Sequence, residues 1–382
     1  MRAATVKTKP LRILQVNSLM NGGGTDNQTL ELTAGLRDAG ADVRLAISAG
    51  SRWEPKARAL NVPVATFVGR SPLKLRMIGR LASIIRKMNI ALVHAHQGRD
   101  YWPSIMAAKL AANGARVVVS RHLMTRPRSF SRPFLLRMAD VVAVSRSVER
   151  VQREQLAGPK SHLHQIYGGV DTKLFQPART PTSFDLRKQF NSTSDCVVFG
   201  VVGAFDLPRG KGQAEFLSAA AQLRTDFPQA RFAIIGAGSM ESLLREKIAN
   251  EQLKNVARII PFTNDIAPMI NALDVLVHPA VGTEALGLVI WEAMASGKPI
   301  IASNLHGISE AFVEGEHGKL VEPGNVTELY NAMRELLLDD KLRKQRGEAA
   351  REYVVRNFSR DAMAVRTLEL YNQIMDRLHA PQ

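Results

Sequence analysis

The stretch Val275-Leu-Val-His278-Pro-Ala-Val-Gly-Thr-Glu284-Ala-Leu-Gly287-Leu-Val-Ile-Trp-Glu292-Ala-Met-Ala-Ser-Gly297-Lys-Pro299 holds a strand, a turn and a helix within 25 residues. Val275–His278 is a short apolar run closed by Pro279, which reads as a buried strand. Gly287 allows close backbone approach where a helix begins, so the amides of Leu286, Gly287 and Leu288 can point at negative charge with the helix dipole behind them. Gly297 closes that helix and Pro299 opens the next strand. Glu284 precedes the helix and Glu292 lies within it, so each can accept hydrogen bonds from a hydroxyl-rich ligand. On spacing alone, two solvated glutamates on an amphipathic helix remain an equal alternative.

Outward from this stretch, the same strand-then-helix rhythm fills the chain. Upstream, residues 195–203 read as a buried strand, followed by a helix near 212–226, a strand at 231–236, a helix near 239–251 and a strand at 257–261. Helices near 325–338, 340–356 and 360–378 follow, the last with Met363, Thr367, Leu370, Ile374 and Leu378 on one face. The first half repeats the theme. Strands are expected at 11–17, 42–47, 64–68, 91–96, 115–120 and 141–145, with helices at about 26–39, 72–89, 101–112 and 146–156 between them. Such alternation means βαβ units and parallel sheets. Thr25 and Gln28 form a candidate capping box for the first helix, and Gly40 closes it. The Pro- and Thr-rich run from Gln176 suits a linker. The expected organisation is α/β: two Rossmann-like, doubly wound domains facing each other across a cleft. Residues 1–175 form the first, 176–194 the linker, 195–356 the second, and 357–382 a helix crossing back.

The 382 residues, 45% of them hydrophobic, suffice for two cores. A single cysteine, Cys196, excludes an internal disulfide and fits a reducing compartment. Arg2, Lys7 and Lys9 are followed by an alternating segment rather than by an apolar run of signal length, and no stretch approaches the ~20 apolar residues of a membrane span. A cytoplasmic, soluble or peripheral protein is expected. The net charge of +16 is one-sided: residues 1–175 carry 28 Lys and Arg against 10 Asp and Glu, the remainder 23 against 25. A basic first half calls for an anionic partner, and a merely solvated basic face stays open. Met77, Ile78, Leu81, Ile84, Ile85 and Met88 make a helical stripe suited to core packing, flanked by Lys74, Arg76, Arg80, Arg86 and Lys87. Arg126, Arg128 and Arg132, interleaved with Phe130, Pro133 and Phe134, better suit contact with an acceptor or with lipid headgroups. No nucleic-acid-binding motif accompanies the charge, which argues against that partner.

Glycine-rich turns follow several strands. Asn21-Gly22-Gly23-Gly24-Thr25 can cradle an anion with its amides, and Gly236-Ala-Gly238 follows a strand of the second half. Neither is a dinucleotide fingerprint, and the second strand ends without the acidic residue a bound NAD ribose requires. His94 and His96 should share one face of a strand, where packing or ligand contact outweighs a metal role for want of other ligands.

The run from His278 to Ser303, continued by His306-Gly-Ile-Ser-Glu310 and Gly318-Lys-Leu-Val-Glu-Pro, closely resembles the donor-site signature of the retaining glycosyltransferases of family four, which have the GT-B fold. Arg209-Gly-Lys211-Gly212, Val118-Val-Ser-Arg121-His122 and Ile166-Tyr-Gly168-Gly-Val-Asp171 match further landmarks in order. The resemblance implies transfer of a hexose from a nucleoside-diphosphate sugar, with retention at the anomeric carbon. It implies Lys211 on the diphosphate, Glu284 on the donor sugar, Glu292 on the ribose and His122 beside the transferred sugar. Gly22, Gly23, Gly236 and Gly238 would line the donor. Where the family places a second diphosphate-binding residue, an arginine, this chain has Ala204; Arg209 is the candidate substitute. No Asp-x-Asp motif is present, and neither metal nor cofactor is expected. The basic half implies a glycan or glycolipid acceptor at an anionic membrane surface, as in lipopolysaccharide or envelope polysaccharide biosynthesis. Two rivals stay open: a non-catalytic nucleotide-sugar or membrane-binding protein, and another GT-B enzyme such as a sugar-nucleotide epimerase.

Overall fold

A computed structural model describes residues 10–20, 22–67, 75–178, 184–192, 195–263 and 265–377. Lys74, Leu378, the basic residues of Met1–Lys9, Asn21 and the middle of the expected linker lie outside them. The chain divides into two compact units, one of Met1–Gly169 with Arg360–Gln382, the other of Val170–Ser359.

The first unit runs β1 (Arg12–Val16), α1 (Gly24–Asp38), β2 (Asp42–Ser48), α2 (Glu54–Ala59), β3 (Val64–Phe67), α3 (Leu75–Lys87) and β4 (Leu92–Ala95). It continues through α4 (Tyr101–Ala111), β5 (Arg116–Arg121), α5 (Leu135–Met138), β6 (Asp140–Ala143), α6 (Arg146–Gln155) and β7 (Leu163–Gln165). The second unit runs α7 (Leu186–Gln189), β8 (Val197–Val202), α8 (Gln213–Asp226), β9 (Ala230–Ile235), α9 (Glu241–Asn250), β10 (Ala257–Ile260) and α10 (Ala267–Asn271). Then come β11 (Val275–His278), α11 (Leu288–Ala295), β12 (Ile300–Ser303), β13 (Gly318–Val321), α12 (Val326–Leu338) and α13 (Asp340–Asn357). The last helix, α14 (Arg360–Asp376), belongs to the first unit.

Among the described residues each unit is one parallel sheet, ordered β3-β2-β1-β4-β5-β6-β7 in the first and β10-β9-β8-β11-β12-β13 in the second. These are Rossmann-like, doubly wound sheets. The central strands are buried along their whole length, as parallel sheets covered by helices on both faces require. On α3, Met77, Leu81, Ile84 and Ile85 are buried, while Arg76, Arg80, Arg86 and Lys87 face solvent. The stripe is core and the basic flank is surface. Helix α14 lies on α1, close enough that a Cβ at Gly35 would sit 3.0 Å from Ala364 Cβ. The nearly buried Arg360 pairs there with Glu31 and Asp38 at 3.4 and 3.5 Å.

The structure differs from expectation at three points. The stretch expected as a linker at 176–194 lies within the second unit and carries α7. Arg187 binds both carboxylate oxygens of Asp274, at 3.0 and 2.8 Å, so distant pairing fixes what local composition marks as loose. The units part at Gly169/Val170 and Ser359/Arg360, near but not at 175 and 356. Nor is there a capping box at Thr25. Helix α1 starts earlier, after Gly23 at φ 107°, and Gln28 instead exchanges two hydrogen bonds with Gly169, at 2.7 and 2.9 Å.

Candidate active site

In the second unit the strand order reverses between β8 and β11, and doubly wound folds bind ligands at that switch point, outside the carboxyl ends of the strands. The loops leaving these two strands touch. Gly212 has φ 83°, and a Cβ there would stand 1.9 Å from the Pro279 carbonyl oxygen, so no side chain fits. Gly287, at φ 71°, caps the N-terminus of α11. Gly236 and Gly238 serve close packing: Cβ atoms there would lie 2.1 Å from the Gly203 oxygen and 2.5 Å from the Phe205 backbone. They seat the loop after β9 against the loop after β8.

Lys211 and Glu284 meet on this platform in an ion pair, Lys211 Nζ donating to Glu284 Oε1. The lysine is about a third exposed and the glutamate 13%. Behind them His278 closes β11, only 2% exposed, its Nε2 3.8 Å from Glu284 Oε1. Neither of its ring nitrogens has a hydrogen-bond partner among the described residues. Burial pushes its pKa down to about 4, with Glu284 opposing and Lys211 adding to the shift. The imidazole is therefore neutral at pH 7. Arg209 is exposed and reaches across to the Val281 carbonyl at 3.5 Å, the limit of a hydrogen bond. Leu286 is buried, whereas Leu288 and Glu292 are half-buried in and beside the first turns of α11. Trp291 anchors that helix by donating to the Ala311 carbonyl at 2.9 Å and stacking on Phe358.

The first unit carries a cavity of about 850 Å³ over the ends of β1, β4 and β5, walled by His96, His122, Trp102, Arg126, Arg128 and Phe130. Gly22 also borders it. The amide of Gly22 donates to Asp26 Oδ2 at 2.8 Å, so the expected anion cradle already holds a carboxylate there, and no cap bond forms at Gly23. Arg126 and Arg128 are exposed, while Arg132 is half-buried and donates to the Pro127 carbonyl at 3.2 Å. Through that Nε it braces the loop.

Behind the cavity wall lies a chain of polar side chains. Gln15 Nε2 stands 3.1 Å from Tyr371 Oη, which lies 2.6 Å from His94 Nδ1; His94 Nε2 lies 2.8 Å from Ser120 Oγ. Gln15 Oε1 is 2.6 Å from His96 Nε2, and His96 Nδ1 is 3.4 Å from His122 Nε2. Burial pushes the His94 pKa down to about 3, with the neighbouring His122 adding to it. His96 is held well below its ordinary value by burial and then by His94 and His122. Burial, then Arg121, brings His122 to about 4. All three rings are neutral near pH 7, and both nitrogens of His94 and His96 are taken up by these neighbours.

The structure thus brings Lys211, Glu284, Gly287 and the turn of α11 together in one unit, and His122, Gly22, Arg126 and Arg128 around one cavity in the other. Sequence reading missed Gln15, Tyr371 and His278 as site residues. The signal for His278 was its place at the end of an otherwise apolar buried strand.

Residues 183–353 match the family model of glycosyl transferases group 1, and residues 22–174 match glycosyltransferase family 4. The phosphatidyl-myo-inositol mannosyltransferase of Mycolicibacterium smegmatis is 26% identical over 339 residues, covering 84% of this chain and 83% of its own. A glycosyltransferase structure from Rickettsia africae superimposes with a TM-score of 0.84 at 24% identity, over 96% of this chain and 99% of that one. The Anabaena HepE structure in complex with UDP gives 0.80 at 22% identity, over 95% and 100%.

Proposed function

Because the chain belongs to the GT-B glycosyltransferases of group 1, with a family 4 domain ahead of the group 1 domain, we propose that it transfers a hexose, with retention, from a nucleoside-diphosphate sugar to an anionic glycan or glycolipid. The observation carrying this is the Lys211–Glu284 pair on glycine-built loops at the switch point of the second sheet. A diphosphate carries more negative charge than one carboxylate, so it draws the Lys211 ammonium off Glu284. Glu284 then accepts hydrogen bonds from sugar hydroxyls, and Glu292 is assigned to the ribose. Lys211, the first amides of α11 and Arg209, standing in for the arginine absent at Ala204, neutralise the departing diphosphate. That diphosphate takes the acceptor's proton on the face it leaves, so the protein mainly positions and neutralises.

The acceptor belongs to the cavity of the first unit. The Mycolicibacterium relative is by name a mannosyltransferase acting on a phosphatidyl-inositol, an anionic lipid. Here Arg126 and Arg128 stand beside exposed Phe130, Phe134 and Leu123, a mix of cations and apolar groups that suits a headgroup surface. No helix among the described residues is long and apolar enough to cross a membrane. On this reading docking is peripheral, at the cytoplasmic face, in the making of lipopolysaccharide or another envelope glycan.

The test is product formation. The full chain is incubated with UDP-, GDP- and ADP-hexoses and with membrane lipid extract, and labelled sugar is followed into lipid and its anomeric configuration determined. Transfer from one nucleotide class with retained configuration supports the reading. Nucleotide binding without transfer to any acceptor, or turnover without an acceptor, contradicts it. Binding to anionic liposomes should weaken as salt rises, since exposed charges are screened; salt-independent binding would count against headgroup docking.

A further inference from the structure

The buried chain behind the cavity admits two consistent directions of donation, because each neutral imidazole and the phenol carry one proton and the carboxamide has one donating and one accepting end. Distances choose between them. The contact of Gln15 with His96 Nε2 is 2.6 Å, short even for N–H···O and much too short for an amide nitrogen facing a ring nitrogen. The contact of Gln15 with Tyr371 Oη is 3.1 Å, as an N–H donor gives and longer than a hydroxyl donating to a carbonyl. The carboxamide oxygen therefore faces His96 and its nitrogen faces Tyr371.

Everything downstream follows from that orientation. Tyr371 accepts from Gln15 and so donates to His94 Nδ1, leaving the His94 proton on Nε2, which donates to Ser120 Oγ. His96 carries its proton on Nε2, donates to Gln15 Oε1 and presents a bare Nδ1 to His122. His122 then donates through Nε2, and its Nδ1 is left bare. Burial withholds a second proton from each ring at neutral pH.

We propose that Tyr371 and Gln15 are positioning residues which fix the tautomer of His122, so that it presents a hydrogen-bond acceptor, never a donor or a cation, to a substrate hydroxyl in the cavity. The ligand class is thereby a neutral hydroxyl, recognised as a donor, beside arginines that take the anionic part. Tyr371 comes from α14, the helix by which the chain returns to this unit, so the return is part of the site as well as of the core. The inference rests on reading the cavity as a substrate site.

Nitrogen NMR of the full chain labelled with 15N-histidine tests it at pH 7. His122 should appear as the neutral Nε2–H tautomer. Tyr371→Phe frees the carboxamide to turn and should mix the two tautomers at His96 and His122. Gln15→Met, which cannot donate and accepts only weakly, is the second variant should the first fold poorly. Either variant should lower kcat about tenfold with KM little changed, the loss of roughly one neutral hydrogen bond. A protonated Nδ1 on His122 in the unaltered protein, or a tautomer unmoved in both variants, would overturn the relay. A tautomer that shifts as expected while the His122 signals ignore saturating donor and acceptor would overturn its role toward a ligand. If the unaltered protein transfers no sugar at all, the transferase reading fails, and the NMR result still decides the relay.

Discussion

The two units place their chemistry at the same topological position and build it oppositely. In the first sheet the order reverses between β1 and β4, in the second between β8 and β11, and both candidate sites stand at the carboxyl ends of those strands. The second unit offers charge: a lysine about a third exposed and held by a glutamate, on loops that touch only because glycine stands where they meet. The first offers neutrality: three imidazoles stripped of charge by burial and tied to a glutamine and a tyrosine, with arginines kept to the rim. One arrangement can stabilise a leaving anion, and the other can recognise hydroxyls without competing for it. Shared topology thus fixes where a site lies, and side-chain chemistry decides what it does.

The contrast breaks most sharply at Lys211. Lys211→Ala should lower kcat by roughly 10²–10³-fold, the scale seen when a donor to a developing anion is removed, with the melting temperature little changed. Initial rates beside a thermal melt check both parts, and a loss of stability matching the loss of rate would reduce Lys211 to a structural role. Next in size is Gly212→Ala. A Cβ at φ 83° and 1.9 Å from a carbonyl oxygen should cost about 3 kcal/mol, a fall of roughly 6–12 °C in Tm. An unchanged melt would mean that the two loops are not locked together as described.

The smallest effect near neutrality is proton-linked, and it separates the units. For His94, His96, His122 and His278 the folded pKa lies below the unfolded value of about 6.5. Between those limits the unfolded chain binds protons that the folded chain refuses. Stability is therefore full above pH 6.5 and declines as pH falls through 6.5 toward 4. Burial also holds His317, in the second unit, below its ordinary value. Three of the five such histidines sit in the first unit, so hydrogen exchange at pH 5 against pH 7 should show that unit opening first. Equal protection in both units would remove the distinction drawn here.

The fold was legible because parallel strands covered on both faces read as plain apolar runs, Val197–Val202 and Val275–His278 above all. Of the four edge strands two were legible, Val64–Phe67 and Ala257–Ile260, and two were not. Leu163–Gln165 has three residues, two of them polar, and Gly318–Val321 carries a glycine and an exposed lysine. The start of α1 was misplaced because Gly23 adopts φ 107°, a backbone choice that side-chain pattern does not announce. On the charged side, Lys211, Glu284 and Gly287 stand in glycine-bearing motifs that announce themselves locally. The neutral site resisted reading for a different reason. His94 and His96 are visible as a pair, but their partners Gln15 and Tyr371 lie 81 and 277 positions away in the chain, and only the folded sheet with α14 upon it brings them together.

The proposed function stands or falls on whether the second unit holds a nucleoside diphosphate on Lys211. Thermal unfolding of the full chain should be followed with UDP, GDP and ADP in turn, in chelator, for the unaltered protein and for Lys211→Ala. Ligand at ~100-fold over Kd adds about 2.7 kcal/mol to native stability. A clear upward shift is expected with one of the three nucleotides, largely lost in Lys211→Ala. No shift with any nucleotide, or one that Lys211→Ala leaves intact, would contradict it.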